Sequence, residues 1–114
     1  MPHCLIEYAS ELEETLDVQA LVHAVYRCAK DSQLFAEGTV KVRASSFAYY
    51  QTDFADPSFV HLRIHLFPGR SAEQKQRLSG AMLTALEAQA PKIQQLSVEL
   101  LDIDTSCYSK RILD

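Results

Sequence analysis

The sequence has little cysteine, and nothing in its spacing suggests a cross-linked or metal-bound fold. Its three cysteines, Cys4, Cys28 and Cys107, are odd in number and none forms a CxxC pair. Small secreted domains usually depend on several disulfides, and structural zinc sites use closely spaced ligand pairs. We therefore expect a reduced compartment, with the cytoplasm as the default, and thiols that pack as small apolar side chains.

Long apolar runs and an excess of basic residues are also missing. No stretch approaches the roughly 20 apolar residues that cross a membrane, and residues 1–8 lack the basic segment that opens a secretory signal. The formal net charge is −4, whereas nucleic-acid-binding domains usually carry a basic face. Neither a membrane nor a nucleic acid is expected as a partner. The 114 residues predict one domain, residues 1–114, with a modest core.

Motifs for cofactors and metals are absent as well. The sequence has no glycine-rich phosphate loop and no GxSxG nucleophile turn. His61 and His65 are four residues apart, but they lie in a segment that reads as a strand. That spacing would separate them by more than roughly 12 Å, and no further ligand completes a set. The sequence therefore predicts no metal site.

What is present is a regular order of strands and capped helices. Asp17 is a suitable N-cap for a helix with apolar residues at helical spacing. Ser71 and Gln74 form a capping-box pattern for a second helix, which Pro91 ends. Ser10–Thr15 is predicted to be a loop, and a short extra strand is expected near Ile112. The four main strands are predicted at His3–Tyr8, Thr39–Tyr50, Phe59–Phe67 and Leu96–Ile103.

Two β-α-β units of nearly equal length follow one another, which predicts an α+β fold with a four-stranded mixed sheet. Right-handed crossovers would place both helices on one sheet face. The other face would mix charged and apolar residues, and a solvated face is the ordinary interpretation. Cover by sister subunits is the alternative. It is favoured modestly by three aromatic residues without an obvious place in so small a core, Tyr49, Tyr50 and Phe54.

Pro2 is the first candidate for chemistry. Removal of Met1, which is usual before proline, would leave Pro2 with a free secondary amine that titrates. Terminal amines have pKa values of roughly 7.7–8.0, and burial or nearby cations lower them. A base with a pKa near the working pH suits proton transfer. Proline at position 2 is common and mostly without meaning, but here an apolar strand follows it directly, so the terminus would be held beside the sheet.

Three cations are candidates for binding an anion. Lys41 and Arg43 lie on the polar face of a predicted strand, and Arg70 directly precedes a predicted helix N-terminus. Free N–H groups at a helix start favour anions, and guanidinium groups bind carboxylates in a bidentate manner. For each cation taken alone, an ordinary surface charge is the favoured interpretation. Together they suggest a small carboxylated ligand.

These features resemble the tautomerase superfamily, and in particular the 5-carboxymethyl-2-hydroxymuconate isomerase family. The resemblance covers nearly the whole chain, including the repeated β-α-β plan. Its specificity comes from the order and spacing of short segments rather than from any long one. The matching residues are Met1-Pro2-His3 and Glu7, Leu34-Phe35, Arg43, Gln51, Phe59-Val60-His61-Leu62 and Gly69-Arg70-Ser71.

The resemblance implies a homotrimer with the sheets facing inward, and an isomerase that needs no cofactor. Pro2 would be the acid and base, with Arg70 assisting catalysis and Arg43 and Lys41 binding substrate carboxylates. The resemblance implies an arginine where Lys41 aligns, and lysine lacks the planar fork, so the exact substrate stays open. If Met1 is retained, the Pro2 nitrogen is an amide and the chain is expected to be inactive.

Three other interpretations stay open. The chain could be a tautomerase that acts on a different small enol or dicarboxylate. It could be a regulatory or RNA-binding module of β-α-β-β-α-β type, although the acidic balance and the lack of interleaved basic and aromatic residues oppose RNA. It could also be an inactive relative kept for assembly.

Overall fold

Alternating apolar and polar residues form the strands of this computed structural model, which describes residues 1–113. Strand β1 alternates buried and half-buried side chains along most of its length, and β3 does the same. The helices carry their apolar residues on one side, which faces the sheet. In chain order the elements are β1 (Pro2–Ala9), α1 (Val18–Asp31), β2 (Lys41–Phe47), β3 (Phe59–Leu66), α2 (Ala72–Gln89) and β4 (Gln95–Asp102).

The four strands form one sheet in the order β2-β1-β3-β4. Each β-α-β unit supplies a parallel pair, β1 with β2 and β3 with β4, and the two units join through antiparallel pairing of β1 with β3. This arrangement confirms the predicted α+β fold with tandem β-α-β units and a mixed sheet. The internal duplication is therefore visible in the topology.

The caps predicted for both helices are present. The Asp17 carboxylate accepts a hydrogen bond of 3.0 Å from the backbone N–H of Ala20. In the second helix the Ser71 hydroxyl accepts from the Gln74 N–H at 3.1 Å, and the Gln74 side chain accepts from the Ser71 N–H at 2.9 Å. Each bond satisfies a backbone donor that the helix itself leaves free.

The hydrophobic core lies between the sheet and the helix layer. Its sheet side comes from alternate residues of the two central strands, and its helix side from both helices. Since β1 and β3 are flanked by the other strands and covered by helices, their core-facing side chains are almost fully buried. The core residues include Cys4, Ile6, Leu62, Ile64, Leu21, Val25, Leu78, Met82 and Leu86.

The structure differs from the sequence-based expectation at several connections. Ser10–Glu14 is a 3-10 helix rather than a plain loop, because Leu12 turns inward and is buried. Strand β2 ends at Phe47, where its partner β1 ends at Ala9, and not at Tyr50. The expected strand near Ile112 is absent from the described chain, where the tail instead forms a 3-10 turn at Thr105–Cys107.

The sheet face away from the helices carries a polar network and exposed apolar side chains. Glu99 accepts hydrogen bonds from Arg63 at 2.9 Å and from His61 at 3.0 Å. Leu101 is 38% exposed on the same face. Tyr49 and Phe54 are exposed as expected, but the prediction that Tyr50 has no place was wrong, since its ring packs on Phe59 at 5.3 Å.

Neither helix in residues 1–113 has the length and hydropathy of a membrane-spanning segment.

Candidate active site

All four strands have one terminus at the same edge of the sheet: β1 and β2 begin there, and β3 and β4 end there. Parallel pairing brings the starts of β1 and β2 together, and antiparallel pairing places the end of β3 beside the start of β1. In this register His3 lies between Lys41 and His65, and Pro2 lies opposite Leu66. Strand β4 runs parallel to β3, so it also ends here. The topology therefore places Pro2, Lys41 and the segment that contains Arg70 at one edge.

Pro2 is held firmly at this edge. It is the first residue of β1, and its side chain is fully buried. Met1 is also buried, with 5% exposure, so the chain terminus lies against the body of the protein. A terminal amine in this position has a fixed location, as the sequence-based prediction for Pro2 requires.

The terminal amine lies in a positive environment. Partial burial lowers its pKa, and the charges of Lys110, Arg70 and Lys41 lower that pKa further. Each of these effects disfavours the protonated amine. Pro2 is the next residue along the chain, one peptide bond from this amine. The environment therefore favours a neutral amine, which is the form that acts as a base.

Arg70 is fixed by its own hydrogen bonds. Its guanidinium donates to the carbonyl of Phe67 at 2.9 Å and to the carbonyl of Leu34 at 2.6 Å. It also lies over the Phe35 ring at 5.1 Å. Gly69 just before it has φ of 122°, a conformation that favours glycine. Arg70 thus ties the loop before β2 to the turn after β3, and its charge stays near the amine.

Lys41 and Arg43 point from the polar face of β2. The Lys41 ammonium donates to the Thr39 carbonyl at 3.2 Å. Arg43 donates one N–H to the His3 ring at 3.2 Å. Both side chains are exposed and keep further N–H groups that could bind a carboxylate.

His3 and Tyr108 also lie at this site. From the sequence, His3 is identified only as part of the matching Met1-Pro2-His3 segment, without a role in the site, and Tyr108 is not identified at all. His3 Nε2 and the Tyr108 hydroxyl are 2.8 Å apart, and that hydroxyl donates to the Met1 sulfur at 3.1 Å. Because β4 must end at the same edge as β3, residues shortly after β4 necessarily begin near the N-terminus. That topological signal, together with an aromatic residue in the tail, could have indicated Tyr108.

A cavity of about 320 Å³ lies beside these residues and is lined by His3, Leu5, Arg43, His65, Ile103 and Tyr108. Its size suits a small organic acid. A larger cavity of about 560 Å³ lies between the helices and includes Cys28, Leu34, Leu78 and Ala81 in its lining. Of the four predicted site residues, Arg43 lines the smaller cavity and none lines the larger one. The smaller one is therefore the better candidate.

Comparisons with known proteins point to one family. A family model described as 5-carboxymethyl-2-hydroxymuconate isomerase matches residues 2–111. A solved 5-carboxymethyl-2-hydroxymuconate isomerase from Deinococcus radiodurans R1 is 26% identical, with a TM-score of 0.82 over 96% of this chain and 88% of that one. A 5-carboxymethyl-2-hydroxymuconate delta-isomerase is 21% identical, with a TM-score of 0.81 over 98% of this chain and 88% of that one.

More distant structures share the fold. A fused wild-type 4-OT symmetric trimer has a TM-score of 0.72 at 18% identity, covering 89% of this chain and 85% of that one. A macrophage migration inhibitory factor-like protein from Entamoeba histolytica has a TM-score of 0.74 at 10% identity, over 96% of this chain and 95% of that one. Comparison with curated protein sequences finds no match.

Proposed function

This chain belongs to the 5-carboxymethyl-2-hydroxymuconate isomerase family, an isomerase family of the tautomerase superfamily, and from that membership we propose its substrate and mechanism. The substrate is 5-carboxymethyl-2-hydroxymuconate or a similar carboxylated 2-hydroxydienoate, an intermediate in the breakdown of aromatic compounds. The product is the conjugated ketone. The Pro2 amine, exposed by removal of Met1, is the acid and base. The observation that carries this proposal is the burial of the chain terminus among three cations.

The reaction is a proton transfer that begins and ends at the same amine. The neutral amine accepts the proton of the substrate 2-hydroxyl group, and electron density moves along the diene. The protonated amine then returns the proton at the distant carbon, which gives the conjugated ketone and restores the neutral amine. An amine pKa near the working pH serves both steps, since the group must accept and release a proton in turn.

The cations bind the substrate and stabilise negative charge. Arg43 lines the candidate cavity, and Lys41 is exposed two residues before it on the same strand; both would hold the substrate carboxylates. Arg70 is held by two backbone carbonyls, so its charge is already in place when the enolate forms. Charges that need no rearrangement stabilise a transition state most effectively.

Self-association completes the proposal. The sheet face away from the helices, which we call the open sheet face, carries the hydrogen bonds of Glu99 and the exposed Leu101 side chain. A structural neighbour of the same fold is a symmetric trimer. We infer that three copies assemble through this face. A homotrimer would cover the apolar side chains and enclose the candidate sites.

A substrate panel tests the function. Protein shown by intact mass to lack Met1 is assayed in the ultraviolet with 5-carboxymethyl-2-hydroxymuconate, a simpler 2-hydroxymuconate and a phenylpyruvate-like enol. We expect the first to be ketonised most efficiently. A preference for another enol would keep the tautomerase chemistry and change the substrate. Absence of turnover on the whole panel would contradict the proposal.

A further inference from the structure

Three hydrogen bonds connect Arg43, His3, Tyr108 and Met1 in a row. Arg43 Nη1 lies 3.2 Å from His3 Nδ1, His3 Nε2 lies 2.8 Å from the Tyr108 oxygen, and that oxygen lies 3.1 Å from the Met1 sulfur. A guanidinium can only donate, and a thioether sulfur can only accept. The two ends of the row therefore determine the direction of every bond in it.

The direction requires a neutral His3 with its hydrogen on Nε2. Nδ1 accepts from Arg43, so Nε2–H donates to the Tyr108 oxygen, and the Tyr108 hydrogen points to Met1. The surroundings favour this neutral ring, because burial lowers the His3 pKa, and Arg43, Lys41, His65 and the terminal amine lower it further. A protonated His3 would lose the bond in which Nδ1 accepts.

The Tyr108 side chain is fixed independently of this row. Its ring packs edge-on against Phe67, with centroids 5.2 Å apart at 88°. The tail that carries it is anchored by a bond of 2.8 Å from the Ile103 N–H to the Leu66 carbonyl. The Asp104 carboxylate holds the following turn by accepting from the Ser106 N–H at 3.0 Å. The hydroxyl therefore stays in place when Met1 is removed.

We propose that Tyr108 is a further catalytic residue, whose hydroxyl donates a hydrogen bond to the substrate oxygen that becomes negative. With Met1 gone, its hydrogen points into the space that the side chain of Met1, the residue bonded to Pro2, had filled, and Tyr108 also lines the candidate cavity. His3 and Arg43 are positioning residues that keep the hydroxyl oriented. This inference rests on the proposed function, and it adds a donor supplied by the tail.

The direct test compares Tyr108→Phe with Tyr26→Phe, both as Met1-free protein. The first removes the hydroxyl and keeps the ring on Phe67, while the second makes the same change on α1, outside the site. Two rates are measured: ketonisation of 5-carboxymethyl-2-hydroxymuconate, and alkylation of the Pro2 amine by 2-oxo-3-pentynoate, followed by mass spectrometry. Addition of an amine to this carboxylated ynone also places negative charge on a ketone oxygen, so it reports on the donor without needing turnover.

His3 is tested by a separate pair. His3→Leu removes both ring nitrogens, and His3→Gln keeps one acceptor and one donor. We expect His3→Leu to lower kcat with little change in KM, and His3→Gln to restore part of the loss. A merely structural role would instead lower the melting temperature of His3→Leu and leave the kcat of the folded protein unchanged.

We expect Tyr108→Phe to lower kcat about 100-fold, as loss of one oxyanion donor does, and to slow alkylation, while Tyr26→Phe matches the wild type. Unchanged rates in Tyr108→Phe would overturn the inference and leave the proposed function standing. A wild type that is alkylated but does not ketonise, with slower alkylation in Tyr108→Phe, would overturn only the substrate assignment. A wild type that does neither would overturn both.

Discussion

Single charged residues determine at which pH the terminal amine can act as a base. Lys110 lies close enough to lower the pKa of the Met1 amine, and in the proposed mechanism it would act in the same way on the Pro2 amine once Met1 is removed. We expect Lys110→Gln to raise the amine pKa, so that the acidic limb of kcat/KM moves to higher pH. Lys92→Gln makes the same change in net charge on the loop before β4 and is the control. If the acidic limb of kcat/KM moved equally in both variants, the effect would come from net charge and not from the position of Lys110.

The three cysteines provide a second test at this scale, because their environments differ. Burial raises the pKa of Cys4 to about 12 and also raises that of Cys28, whereas Cys107 is exposed. Thiolates are the reactive form. We expect a thiol reagent to modify Cys107 first, Cys28 more slowly and Cys4 only on unfolding, as followed by mass spectrometry. Modification of Cys4 in the native protein would show that the core opens readily.

The sequence predicts residues whose role is local better than residues that depend on distant contacts. Asp17 and Ser71 were identified as caps because a cap acts on backbone three residues away. Tyr108 was missed because its partner His3 is 105 residues distant in sequence. The placement of Pro2, Lys41 and Arg43 at one edge could be anticipated, since parallel strands begin together. The carbonyl contacts of Arg70 could not.

At the scale of elements, helix caps make a measurable contribution to stability. Asp17→Ala removes the acceptor for the Ala20 N–H and should lower the free energy of unfolding by about 1 kcal/mol. Asp17→Asn keeps an acceptor at the same position and should lose much less. Denaturant unfolding of the two variants measures the difference. Equal losses would mean that the cap contributes nothing beyond the carboxylate charge.

The elements themselves followed from apolar periodicity and turn residues, whereas their ends depended on partners. Strand β2 was expected to reach Tyr50 because Thr39–Tyr50 is rich in β-branched and aromatic residues, yet it stops where β1 has no further residue to pair. The 3-10 helix at Ser10–Glu14 forms around the buried Leu12, a tertiary effect that the polar sequence of this segment conceals. Pairing and burial, rather than propensity, determined these boundaries.

At the scale of the whole molecule, the open sheet face is the feature that assembly would explain. Leu101 on this face is 38% exposed and Leu83 on α2 is 36% exposed, so the same substitution at Leu83 is a control for a substitution at Leu101. We expect Leu101→Asp to dissociate the proposed trimer and Leu83→Asp to leave it intact, as measured by sedimentation. A monomeric wild type, or a trimer in both variants, would contradict assembly through this face.

The fold of the whole chain could be predicted because element order and handedness leave few arrangements of two β-α-β units. The family followed from short segments in the right order. The oligomeric state and the substrate could not be predicted in the same way, since they depend on contacts with other molecules. Leu101 is 38% exposed on this face, and the charged Arg63 and Glu99 side chains lie beside His61; the proposed trimer would cover them.

The most direct measurement compares the same chain with and without Met1. Protein made while methionine removal is inhibited keeps the Pro2 nitrogen as an amide, and intact mass distinguishes it from the processed form. Both are assayed for ketonisation of 5-carboxymethyl-2-hydroxymuconate under identical conditions. Our account predicts rapid turnover by the Met1-free protein and none above background by the Met1-bearing protein. Equal turnover by the two forms would show that the amine of Pro2 is not the acid and base.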